Sequence, residues 1–165
     1  MNSLIRSASV DDLPALLAIY NHAVLHTTAI WNETPVDLAN RQSWLAQRQA
    51  DGFPVLVAIV DGQVAGYASY GPWRAFEGFR QTVEHSVYVA EAFQGRGLGK
   101  ALLRTLIEQA KVDQLHVLVA GIEAQNHASI ALHQGLGFVI SGQMPQVGRK
   151  FERWLDLTFM QLILE

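Results

Sequence analysis

The sequence predicts an α+β domain whose elements run in the order βααβββαβαββ. Two observations carry the prediction. Two β-rich runs, Val55 to Val60 and Gln63 to Tyr70, are joined by Asp61-Gly62, a pair that closes tight hairpins. A strand-like run, Thr82 to Ala90, then leads into Gln94-Gly95-Arg96-Gly97-Leu98-Gly99-Lys100, which opens a strongly apolar helical pattern. The chain has 165 residues, 50% hydrophobic and 16% charged, which suits a single domain (1–165) with a substantial core.

Each remaining element has its own signal. Leu4 to Ser7 is a short strand. Ser9 with Asp12 three residues on is an Asp variant of the capping box, and Leu13, Leu16, Leu17, Tyr20 and Val24 follow as one apolar helical stripe. A second helix is expected from Thr34 as cap and Pro35 in the first turn, through Leu38, Trp44 and Leu45 to about Ala50, where Asp51-Gly52 ends it. Gly97 to about Val112 is a helix with Leu98, Leu102, Leu103, Leu106 and Ile107 on its core face. His116 to Ile122 is a strand, and Asn126 to Gln134 a short helix stopped at Gly135 or Gly137. Phe138 to Ser141 and Leu155 to Leu164 complete the strands.

Composition removes several function classes. Net charge is −3 with no basic run, so nucleic acid is not an expected partner. No apolar stretch approaches the ~20 residues of a membrane span, and the Met1-to-Arg6 start lacks the basic and apolar runs of a signal peptide. The absence of cysteine excludes disulfides, thiolate metal sites and an acyl-cysteine intermediate, and fits a cytoplasmic protein. His22 and His26 stand at a metal-ligand spacing, but without an adjacent glutamate or a third ligand they are read as surface residues; no metal is expected.

The glycine segment carries the chemistry. Where a helix begins, the first N–H groups lack intrahelical partners and the helix dipole is positive, an arrangement that holds phosphate or pyrophosphate. The dinucleotide fingerprint fails because its last glycine falls on Lys100, and the Walker A pattern needs Gly at Gln94 and Ser or Thr at Ala101. Gln94, Gly97 and Gly99 spell Q-x-x-G-x-G. This resembles the pyrophosphate loop of the GNAT superfamily of acyl-CoA-dependent N-acetyltransferases. Asn126-His127-Ala128-Ser129-Ile130-Ala131-Leu132-His133 with Gly137-Phe138 resembles a later GNAT segment, in the right order and about 30 residues downstream. The resemblance implies a mixed, mostly antiparallel sheet flanked by helices on both faces.

Thr28 to Pro35, Gly66 to Tyr70, Arg74 to Phe76, Thr82 to Val89 and Gly148 to Asp156 are similar to the phosphinothricin and methionine sulfoximine N-acetyltransferases, over nearly the whole chain. That similarity implies acetyl-CoA as cosubstrate, a small amino acid analogue as acceptor, and a homodimer with the substrate site near its interface. The implied cofactor residues are Val87, Tyr88, Val89, Gln94, Gly95, Arg96, Gly97, Leu98, Gly99, Lys100, Asn126 and Ser129.

With no cysteine, direct attack of the amine in a ternary complex is the expected mechanism. Glu84, on the strand before the glycine loop, is the expected general base, against a structural reading as a sheet-surface carboxylate. His133 stands where many GNATs carry a tyrosine that protonates the leaving thiolate; it is either that donor, a base, or a packing residue. Asn126 either binds the pantetheine arm or caps its helix. The oxyanion donor is expected to be a backbone N–H between Val87 and Val89. Arg74 and Arg80, flanking Phe76 and Glu77, are candidates for the acceptor carboxylate, with ordinary solubility as the alternative. Trp31 is a candidate wall of the acceptor site, and Arg149, Lys150 and Arg153 are further cations, with Trp154 to Leu157 at a dimer contact. The rival readings are another acceptor (a polyamine, an aminoglycoside or a protein N-terminus) and a non-catalytic acetyl-CoA sensor.

Overall fold

A computed structural model describes residues 2–165. Seven strands form one sheet, ordered β1-β2-β3-β4-β5-β7-β6: β1 (Ser3–Ser7), β2 (Val55–Val60), β3 (Gln63–Pro72), β4 (Thr82–Val89), β5 (Val117–Glu123), β7 (Arg153–Ile163) and β6 (Val139–Lys150). Helices α1 (Leu13–His26), α2 (Leu38–Ala50), α3 (Leu98–Val112) and α4 (His127–Gly135) complete the predicted order. Every pairing is antiparallel except β4 with β5.

Strand alternation divides the interior into two layers. Leu56, Ala58, Ala68 and Tyr70 face α3, packing with Leu98, Leu102, Leu103 and Leu106. Val55, Val57 and Tyr67 face the opposite way, against Leu13, Leu16, Ile19 and Leu45 of α1 and α2. The apolar stripes of α1 and α3 are legible as periodicity, and burying each on its own face of the sheet puts helices on both sides.

Two expectations are corrected. Helix α2 begins at Leu38, capped by Asp37 whose Oδ1 accepts the Asn40 N–H at 2.9 Å, not at Thr34 and Pro35. Asn21 of α1 holds the preceding segment out of the helix, donating to Val36 O and accepting Val36 N–H, both at 2.9 Å. Strand β6 runs twelve residues to Lys150 rather than ending at Ser141, because Met144 and Gly148 to Lys150 pair again with β7 across a register shift. Gly142, Pro145 and Gly148 break the strand pattern in the sequence, yet the hairpin with β7 carries the chain through them.

What positions the site is a divergence at the centre of the sheet. The parallel register holds only from Thr82↔Val117 to Glu84↔Val119, although β4 continues to Val89 and β5 to Glu123. Beyond Glu84 the two strands part, and the backbone between them is left for something other than a neighbouring strand.

Candidate active site

A cavity of about 690 Å³ fills this divergence. It is lined by His85 to Val89, by Ala120 to Glu123, by Gln94, Gly95 and Gly97 to Lys100 of the glycine segment, and by Asn126, Ser129 and His133 of the α4 region. The hydrogen bonds Ala90 N–H to Ala65 O (2.8 Å) and Trp73 N–H to Thr82 O (3.3 Å) fix the β3–β4 register. With a period of two, Tyr88 then directs its backbone groups at β3, while those of Val87 and Val89 point across the gap. The Val89 carbonyl accepts from Gln94 Nε2 at 3.2 Å.

At the far end Gly97 caps α3 with φ +79°, and Gly95 has φ +77°. A side chain resists that conformation, whereas a Cβ on Gly99 would meet Leu132 at 3.7 Å and Val89 at 3.8 Å, ordinary contacts. Gly97→Ala is therefore expected to lose about 1–2 kcal/mol in urea unfolding, and Gly99→Ala to stay within about 0.5 kcal/mol of the parent. Gly95 and Gly97 leave the loop uncovered before the α3 N-terminus, and Lys100 adds a cation, a donor set that suits a pyrophosphate. Arg96 is the exception among the expected cofactor residues: it turns away to lie over Phe93, 5.3 Å from the ring, and does not line the cavity. Asn126 does both things expected of it in part: it caps α4, accepting the Ser129 N–H at 3.1 Å, and lines the cavity.

A second cavity of about 310 Å³ adjoins the first and shares Ala29, His85, Ser86, Tyr88, Gly121 and Glu123 with it. Glu84, Trp31, Trp73, Leu157 and Phe159 complete its lining. Glu84 and Trp31, 53 positions apart in sequence, are thus brought together. Loss of water raises the Glu84 carboxyl above its ordinary value, and the Arg48 guanidinium opposes that rise. Trp31 is pinned by its indole N–H to Thr28 O at 2.9 Å and packs against Gly148, where a Cβ would clash with the edge of the ring.

His133 is engaged at both ring nitrogens. Its Nδ1 lies 2.7 Å from Ser129 O, an acceptor only, so Nδ1 carries hydrogen. Its Nε2, 2.9 Å from His85 Nε2, then accepts the His85 proton. Both rings are buried; burial lowers the His133 pKa and, with His133 alongside, pushes His85 down to about 3. In this pairing both His133 nitrogens are engaged, while His85 Nδ1 is buried without a partner.

The expected acceptor cations are also not gathered. Lys150 is fully buried and donates to Ala23 O (3.5 Å), Thr27 O (2.6 Å) and Ile30 O; it fastens the loop after α1 and does not line the acceptor cavity. Arg74 lies over Trp73 (5.5 Å) and Arg149 over Trp154 (4.9 Å), while Arg80 donates to Glu77 O at 3.1 Å. These three, with Phe76 (74% exposed) and Glu77, line neither cavity. His22 bridges to Glu91 at 3.5 Å, and among the described residues no group of three His, Asp or Glu side chains is placed to hold a metal. Sequence reasoning missed Glu123, which closes β5 beside both cavities and accepts the Gln125 N–H at 3.0 Å, and Arg48. A polar residue ending an apolar strand was the available signal for the first; for Arg48, one charge among several on an amphipathic helix, there was none.

Residues 16–138 match the acetyltransferase (GNAT) family. The L-methionine sulfoximine/L-methionine sulfone acetyltransferase of Pseudomonas aeruginosa is 66% identical, over 100% of this chain and 96% of that protein. A ribosomal-protein-alanine N-acetyltransferase from Brucella melitensis superposes with TM-score 0.97 at 64% identity, covering 98% of this chain and 99% of its own. A GNAT superfamily phosphinothricin acetyltransferase from Sinorhizobium meliloti, solved in complex with acetyl-CoA, gives TM-score 0.96 at 36% identity, over 99% of this chain and 89% of that one.

Proposed function

From the premise that this chain belongs to the GNAT acetyltransferase family, we propose that it transfers an acetyl group from acetyl-CoA to the α-amine of a small amino acid analogue such as methionine sulfone, methionine sulfoximine or phosphinothricin. The observation that carries this reading is the junction of two cavities at Ser86, one ending at an anion-binding glycine loop and the other lined by Glu84 and walled by Trp31 and Trp73. The α3 N-terminus with Gln94, Gly95, Gly97, Gly99 and Lys100 would hold the pyrophosphate, and Val87 and Val89 would pair with the pantetheine arm as a neighbouring strand does. Bound there, acetyl-CoA supplies an activated acyl carbon.

Each protein group then has one task. Glu84 takes the proton of the acceptor amine, directly or through water, and its raised pKa brings it nearer that of the amine it serves. The amine nitrogen forms the new C–N bond as the C–S bond breaks. The Val87 N–H, aimed across the divergence, stabilises the oxyanion. Coenzyme A departs as a thiolate toward the first turn of α4, where Ser129 lines the cavity, and takes up the remaining proton shed by the amine nitrogen, directly or through water. Trp31 and Trp73 exclude water from the amine and enclose the acceptor side chain, favouring a compact acceptor over a polycation.

A homodimer is part of the proposal, supported by the outer edge strand β6, which exposes Val139, Ile140, Met144 and Val147. The name of the Brucella relative favours one second reading, acetylation of an N-terminal alanine. Thiol release from acetyl-CoA separates the two when methionine sulfone, methionine sulfoximine, phosphinothricin, spermidine and an alanine-initiated peptide are compared. The sulfur and phosphorus amino acids are expected to give kcat/KM at least tenfold above the peptide and spermidine. Preference for the peptide would overturn the acceptor assignment, and silence toward every amine would leave a cofactor-binding sensor.

A further inference from the structure

Glu84 faces two different environments across its strand. On the β5 side lies the acceptor cavity, where a Cβ on Gly121 would stand 3.6 Å from Glu84 Oε2. On the other side its register partner is Gly71 of β3. Gly71 is buried, and the place of its missing Cβ is taken by the guanidinium of Arg48: a methyl group there would fall within Nη1 and stand 2.5 Å from Cζ and 2.9 Å from Nη2. Arg48 comes from the last turn of α2 and reaches this point past Trp44 and Phe53, with its charge 5.9 and 6.0 Å from their rings. An arginine laid across a strand over the glycine paired with a cavity-lining carboxylate is more specific than solubility requires.

We infer that Arg48 is a positioning residue for the base, its guanidinium lying in the gap left by Gly71 so that Glu84 is held ionised and turned toward the acceptor cavity. The inference rests on the reading of Glu84 as base. Among the described residues the two form no direct ion pair, so the action is through space. The surroundings of Glu84 point the same way. Arg48, on α2, is the cation acting on it; Gly71 on β3 brings no charge. Glu123 on β5 shares its cavity as a second carboxylate, and Tyr88 and the neutral His85 are its neighbours on β4. Trp31 and Trp73, with Leu157 and Phe159 of β7, contribute no charge. Desolvation raises the Glu84 pKa and Arg48 lowers it, so removing Arg48 leaves the rise unopposed.

The test reads Glu84 by two independent routes, a carbon-13 NMR titration of its side-chain carboxyl and the pH dependence of kcat with both substrates saturating. Arg48→Gln is expected to raise the Glu84 midpoint by about 0.5–1 unit and carry the acid limb of kcat with it, a loss of about 3–10-fold at pH values below the limb and little change on the plateau. Arg48→Lys is expected to recover most of the shift. Gly71→Ala, which displaces the guanidinium while keeping its charge in the chain, is expected to move the midpoint in the same direction as Arg48→Gln. A Glu84 midpoint unmoved by both Arg48→Gln and Gly71→Ala overturns the inference and leaves the base assignment standing. A midpoint that moves while the kcat limb stays overturns it differently, because Glu84 then does not set the rate and the base reading fails with it.

Discussion

Glu84→Gln is expected to lower kcat for acetylation of methionine sulfone by about 10²–10⁴-fold and to remove the acid limb of its pH profile. The magnitude is that of a positioned general base lost from a proton-transfer step. Glutamine keeps the shape and polarity of the side chain but cannot accept a proton at the pH of assay. The sign of the pH dependence follows from the raised carboxyl: as pH falls through the elevated Glu84 pKa the base is protonated and rate is lost, so the limb lies above the range of an ordinary carboxylate. Because the glycine loop and Val87 are untouched, affinity for acetyl-CoA should stay within about twofold, measured by calorimetry. If the Glu84→Gln variant keeps the wild-type rate and limb, Glu84 returns to the role of a sheet-surface carboxylate.

What the sequence disclosed of this site is what local backbone physics writes into neighbouring residues. Gly95 and Gly97 are legible because a positive φ before a helix selects glycine, and Asp61-Gly62 because a two-residue hairpin does. Glu84 was legible as a candidate because Thr82, Ser86 and Tyr88 put it on the polar, aromatic face of the strand leading into that loop. Contacts made over long separations were not. Lys150 reads as one of three cations near the end of the chain, and only the fold carries it 120 residues back to Ile30 O, into the protein rather than the acceptor site. Arg74 and Arg80 sit in a segment between two strands of the site, yet that segment turns outward and leaves both guanidinium groups outside the cavity. His133 was read as donor, base or packing residue, and the partner it packs against, His85, stands 48 residues earlier, beyond the reach of local pattern. The α2 boundary failed for the same reason, since Thr34-Pro35 is a sound local start that the Asn21 amide overrides from another helix.

Lys150→Met is expected to lower stability by about 2–4 kcal/mol and, separately, to raise KM for the acceptor about tenfold. Methionine keeps the packed stem, so the loss is chiefly that of the ammonium. Past the C-terminal end of α1 the ammonium answers Thr27 O and Ile30 O, and adds a longer bond to Ala23 O, which already accepts from the Thr27 N–H and hydroxyl. Fully buried, it offsets its own desolvation with these charge-assisted bonds, and removing it leaves Thr27 O and Ile30 O unanswered as well. For a chain of this size the stability loss corresponds to a fall in Tm of roughly 5–12 °C, readable by calorimetry. The functional effect follows from what Lys150 anchors. The loop ending at Ile30 delivers Trp31, whose ring rests on Gly148 two residues before Lys150 and walls the cavity containing Glu84. Freed from Lys150, that wall loses its fixed place against the acceptor, while the glycine loop, on the other side of the β4–β5 divergence, keeps its geometry. KM for acetyl-CoA is therefore expected to change by less than about twofold. A variant with unchanged Tm and acceptor KM would show that Trp31 is held by its own contacts with Thr28 and Gly148 alone; a rise in both KM values together would mean that the loop supports the cofactor cavity as well.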